Sequence, residues 1–140
     1  MWANTRAKLV EVITASAPLV AEVFAYPTSA ENEYPAVCII GSENESDFGN
    51  GSPTNDNLIS CVFTIRTLFT ISDETNDAQA TAEARIDAVL DQLIDLLSNP
   101  DVLSPACDFV EPLSASWGYQ DRGNGLVRMA DIKLRCKKLK

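Results

Sequence analysis

The side chains that could do chemistry are abundant in one type and missing in another. Twenty Asp and Glu residues stand in a chain of 140 that contains no histidine. Without His, the commonest general base near neutral pH and the commonest neutral metal ligand are both absent. A Ser–His or Cys–His nucleophilic pair therefore cannot be built. Four cysteines, Cys38, Cys61, Cys107 and Cys136, form no C-x-x-C pair, which removes the zinc-ribbon and thioredoxin readings. They read as free, mostly buried thiols made in a reducing cytoplasm. No G-x-S-x-G, P-loop or G-x-G-x-x-G occurs. Gly49-Asn50-Gly51 lies in an acidic stretch that would repel phosphate. Asp87, Asp91 and Asp95 recur at i, i+4, as a set facing a cleft or, the plainer reading, as a solvated helix face. No catalytic, cofactor or metal site is expected.

Three further groups suit contact rather than catalysis. Residues 42–57 form a long polar loop with Glu43, Glu45, Asp47 and Asp56 and one aromatic, Phe48. It is too long for a passive connector and reads as a contact arm. Its acids lack the alternating ligands and terminal Glu of an EF-hand, so no calcium site is assigned. Trp117 and Tyr119 fall on one strand face beside a turn holding Arg122; these residue types are enriched at interface hot spots, and a core edge is the other reading. From Arg128 onward stand six bases, Lys133, Arg135 and Lys137 among them, and one acid, Asp131, in a chain of net charge −9. An acidic body with a basic tail can attract its own copies head to tail. A terminal strand with a solvated basic face is the alternative.

Periodicity supplies the elements that must position these groups. A first helix is predicted from about Ala3 to Ser16, with Leu9, Val12, Ile13 and Ser16 on one face and Pro18 ending it. A second starts at Asn76 or Asp77, repeats Ala82, Ile86, Val89, Leu90, Leu93, Ile94 and Leu97 at three- and four-residue steps, and closes at Asn99-Pro100. From Leu58 to Ile71 apolar and polar residues alternate with period two, and Ala130 to Lys137 does the same. Shorter strands are expected at Leu19–Tyr26, Ala36–Gly41 and Phe109–Tyr119, with a hairpin loop over residues 120–125. The order is α-β-β-β-α-β-β: an α+β fold, with an antiparallel or mixed sheet and helices packed on one face, in a single domain of residues 1–140. A 14-residue strand reaches roughly 46 Å, beyond the roughly 37 Å diameter of such a domain. It either bends at a bulge or sends an end out to pair with a neighbour.

Charge and hydropathy exclude whole classes of function. A net charge of −9 argues against a general nucleic-acid binder and against docking on an anionic membrane. No apolar run is long enough to span a bilayer, and Met1 to Arg6 lacks the layout of a secretion signal.

Taken in order, these features resemble the tail terminator (tail completion) proteins of long-tailed bacteriophages. The resemblance runs through the short N-terminal helix, Glu33-Tyr34-Pro35-Ala36-Val37 leading into a strand, and the Glu43-x-Glu45-x-Asp47-Phe48 loop. It continues through the long strand with Phe63, Ile65 and Arg66 and the helix around Arg85-Ile86-Asp87 and Leu90-x-x-Leu93. It ends with the Trp117-Gly118-Tyr119 to Arg128 hairpin and its basic strand. It implies a structural virion protein without enzymatic activity or cofactor, assembled in the host cytoplasm. Six copies would form a ring that caps the tail tube protein, ends its polymerisation and offers a surface to the head–tail connector or neck protein. DNA would pass through the ring without specific binding, and no membrane is involved. The interface would fall on Glu43, Glu45, Asp47, Phe48, Trp117, Tyr119, Arg122, Lys133, Arg135 and Lys137; Asp87, Asp91 and Asp95, or the acidic loop, would line the channel. Three other readings stand beside it: another neck or tail tube component, a small cytosolic ligand-binding domain or enzyme using its carboxylates, and an acidic DNA mimic.

Overall fold

Period-two alternation predicts strands and period-three-to-four repeats predict helices, and a computed structural model of the chain has both where these patterns fall. It describes residues 2–28, 31, 33–44, 58–71, 76–122 and 125–139. Helix α1 spans Trp2–Ser16, β1 Glu22–Phe24, β2 Ala36–Asn44, β3 Leu58–Ile71, α2 Asn76–Leu97, β4 Phe109–Asp121 and β5 Leu126–Leu139. The strands form one five-stranded sheet in the order β1-β2-β3-β5-β4. β1 runs parallel to β2 and all other neighbours are antiparallel, so the sheet is mixed.

Both helices cover the same face. On β3 the residues Cys61, Phe63 and Ile65 join Ala130, Ile132, Leu134 and Cys136 of β5 and Val37 and Ile39 of β2 in one core. Helix α1 adds Leu9 and Ile13; α2 adds Ile86, Val89, Leu90, Leu93 and Leu97. In α1 the buried line is Thr5, Leu9 and Ile13 at i, i+4 steps. Ser16, expected on that face, is exposed, and Ala17, where the chain leaves the helix, is buried in its stead. In α2 the expected apolar set is buried except Ile94, which sits on the helix flank toward β4. Gly41 lets α1 close over β2: a Cβ there would lie 3.2 Å from the Trp2 ring and 3.0 Å from the Arg6 guanidinium. Trp2 meets Phe63 edge-on at 5.0 Å, and Arg6 donates to the carbonyls of Ala25 and Ile39 at 2.5 and 2.8 Å.

The length of β3 is matched inside the chain. β3 and β5 pair residue for residue from Leu58↔Leu139 to Ile71↔Leu126 without a shift. No end of β3 is therefore left to a neighbour on that side, and β3 itself has no bulge. The bulges lie instead in β2 between Gly41 and Glu43 and in β4 between Pro112 and Ser114. The Oγ of Ser42, the extra residue in β2, donates to the Val62 carbonyl at 2.9 Å. β2 and β4 both run past the predicted ends, and β1 is shorter than the predicted Leu19–Tyr26. Ser42, Glu43 and Asn44 thus belong to a strand rather than to the predicted loop 42–57. Residues 45–57, with Glu45, Asp47 and Phe48, lie outside the described residues.

Candidate assembly interface

The sheet places the contact residues on two unlike surfaces. Its face away from the helices carries alternate residues of β5: Asp131, Lys133, Arg135 and Lys137. The predicted basic set is thus brought together, but on an inner strand, since β5 lies between β3 and β4. Arg66 stands opposite Asp131 and donates to both its oxygens, at 2.9 and 3.0 Å. Glu111 of β4 accepts from Arg135 at 2.9 Å and meets Lys137 at 3.4 Å. Arg135 holds the Glu111 carboxyl below the usual range. The Lys137 ammonium also lies 5.8 Å from the centre of the Phe109 ring, a cation–π contact. Lys133 is exposed. Among the described residues, no helix covers this row.

A second small cluster on the same face, Cys38, Leu68 and Val127 with Phe24, Tyr34, Ile40 and Met129, closes the sheet's other end. Beside it a cleft of about 260 Å³ is bordered by Thr28, Cys38, Arg66, Gln120 and Arg122.

The other surface is the flank between α2 and β4. Arg128 grips Glu83 of α2 through Nε at 2.7 Å and Nη2 at 2.9 Å. The same guanidinium lies 4.4 Å from the centre of the Tyr119 ring, and it holds the Glu83 carboxyl below its ordinary range. Trp117 and Tyr119 do share a strand face, the helix side, and both stay half exposed, at 49% and 53%. Ile94 and Leu113 extend this apolar strip, and a shallow groove of about 210 Å³ runs between them, floored by Pro112, Ala115 and Ile132. Asp87, Asp91 and Asp95 are all exposed along α2.

Arg122 does not belong with the two aromatics. It donates to Gln120 Oε1 at 3.2 and 3.0 Å and forms a two-pronged pair with Glu31, the Nη2–Oε1 arm being 3.0 Å. Burial pushes the Glu31 carboxyl up, but hydrogen bonds from Arg122, the backbone and Tyr34, with the Arg122 charge, together outweigh it and the net shift is down. The cation that does serve Tyr119 is Arg128, which sequence reasoning left among the general bases. The signal was present: folding the hairpin about its loop so that Asp121 faces Leu126 also sets Tyr119 opposite Arg128.

β4 is a sheet edge with no strand on its outer side among the described residues. It carries Glu111 and Asp121 and no base, so two copies of this edge offer each other no opposite charges. Glu43 is placed at a register position opposite Val62.

The cysteines offer no site. All four are free and buried. Cys61 stands opposite Cys136, and burial pushes its thiol up to about 11. A hydrogen bond to Cys107, with burial, pushes Cys136 well up. Among the described residues, no group of three Cys, Asp or Glu side chains is placed to hold a metal ion, and no helix is long and apolar enough to cross a membrane.

No protein-family model matches the chain, and a search of curated proteins returns no match.

Proposed function

We propose that this chain is a structural subunit rather than an enzyme, and that six copies form a ring at the neck of a long-tailed bacteriophage. In this reading the ring caps the tail tube, ends its polymerisation and presents a surface to the head–tail connector. The observation that carries it is the pair of unlike surfaces on opposite sides of one sheet: a basic row on the open face and an acidic, aromatic flank on the helix side. A ring needs a heterologous contact, in which one patch meets a different patch of the next copy. A molecule with the same charge on both sides would repel its neighbour instead. The net charge of −9 suits a conduit through which DNA slides without sticking.

The test is genetic and visual. Deleting the gene should give tails of uncontrolled length or tailless heads, and a map of the finished particle should show this chain encircling the conduit between tube and head. Normal particles after deletion would reject the reading.

A further inference from the structure

The open face of the sheet is wide, basic and uncovered among the described residues, and its occupant can be argued from charge and spacing. Lys133, Arg135 and Lys137 take successive same-face positions on β5. At about 3.4 Å per residue they span about 13–14 Å. They are flanked by the small side chains of Ser114 and Ser116 on β4 and Thr64 on β3. On this face Arg66, Lys133, Arg135 and Lys137 stand against Asp131 and Glu111, an excess of base among the described side chains.

On the opposite side of the body, Asp87, Asp91 and Asp95 recur along α2. At 1.5 Å per residue they span about 12 Å. Exposed Ala88 stands between the first two acids and exposed Ile94 between the last two. Three acids and three bases thus form two rows of nearly equal length and opposite sign.

We infer that α2 of one copy docks on the open sheet face of the next, with Asp87, Asp91 and Asp95 set against Lys133, Arg135 and Lys137. This rests on the ring reading and gives the acidic row to the subunit contact, where that family resemblance would put it in the channel. The two rows lie on opposite sides of a two-layer body, so a copy that has docked by one side keeps the other for the same contact. Such a heterologous contact repeats from copy to copy, and it closes into a ring when the rotation from one copy to the next closes. Trp117 and Tyr119, half exposed on the helix side of β4, supply apolar anchors of the kind that dominate interface energies.

Two charge-reversed variants test the pairing. One carries Asp87→Lys, Asp91→Lys and Asp95→Lys; the other carries Lys133→Glu, Arg135→Glu and Lys137→Glu. Self-association is read by native mass spectrometry and sedimentation at low salt, with circular dichroism to check folding. Each variant alone should associate at least about tenfold more weakly than the unaltered chain. An equimolar mixture should recover association, in complexes that alternate the two, because each reversed row then meets its opposite; a ring of six, being even, permits alternation. Asp91→Lys and Lys133→Glu, both at exposed positions, repeat the test with minimal disturbance and should show a smaller loss and the same recovery. Variants that associate like the unaltered chain, or mixtures that recover nothing, overturn the docking. An unaltered chain that stays monomeric at low salt overturns it as well. In each case the ring itself is still decided by the particle map.

Discussion

Thr67 is a hydroxyl set among hydrocarbon. It lies opposite Val37 and Ala130 on the helix side of β3, is fully buried, and its Oγ1 has no hydrogen-bond partner among the described residues. An unpaired buried hydroxyl loses its water contacts and gains nothing in return. Thr67→Val keeps the shape and removes that cost. The variant should be more stable by about 1 kcal/mol in urea unfolding. A second prediction concerns acid. Glu31, Glu83 and Glu111 are all held below their ordinary range by arginines. A carboxylate whose folded pKa is depressed contributes stability above its unfolded value, and that contribution is lost as pH falls through the folded one. The chain should therefore lose stability progressively below about pH 4.3. Glu31 is the most enclosed of the three. In Arg122→Ala its carboxyl loses its counter-charge, so stability at pH 7 should drop by about 3 kcal/mol and the acid limb should flatten. Thermal melts from pH 3 to pH 7 read both effects.

Among the elements, α2 takes the largest share of the core. Leu93 is fully buried between the helix and the sheet. Leu93→Ala should cost about 2–5 kcal/mol; a loss under about 1 kcal/mol in denaturant unfolding would mean that the helix face is wrongly placed. The limits of β3 at Leu58 and Ile71 and the end of α2 at Leu97 were legible, because period and breakers coincide there. So was the single helical face; the sequence allows an antiparallel or a mixed sheet, and the parallel β1–β2 pair makes it mixed. What period two does not carry is which strands are neighbours. Alternation in β5 told its two faces apart, yet nothing local shows that the basic strand sits between β3 and β4 and not at an edge. Ile94 was assigned to the core because it keeps the apolar period with Leu90 and Leu97; in the structure it stands on the flank of α2, above the groove over Pro112 and Ala115, and stays exposed. Arg122 looked like the aromatics' partner because it is near in sequence, but its partner Glu31 lies 91 residues away.

At the scale of the whole molecule, the charge asymmetry of the sequence becomes an asymmetry of surfaces. The basic tail is not a tail: it is the middle of the sheet, with Lys133, Arg135 and Lys137 on the open face, where Glu111 holds two of them, and Arg128 on the helix side, paired with Glu83. The acids of α2 emerge on the other side. The position of β5 also bears on how the fold comes into being. It bonds β3 along its whole length on one side and β4 on the other, and among the described residues it is the only strand that joins β4 to the rest. Its partners on β3 lie far back along the chain, so this central ladder closes large loops. Native order then arrives late and all together, on the millisecond-to-second timescale of non-local topologies. Until β5 docks on β3, the sheet is in two pieces, β1-β2-β3 and the β4–β5 hairpin, with the facing edges of both bare.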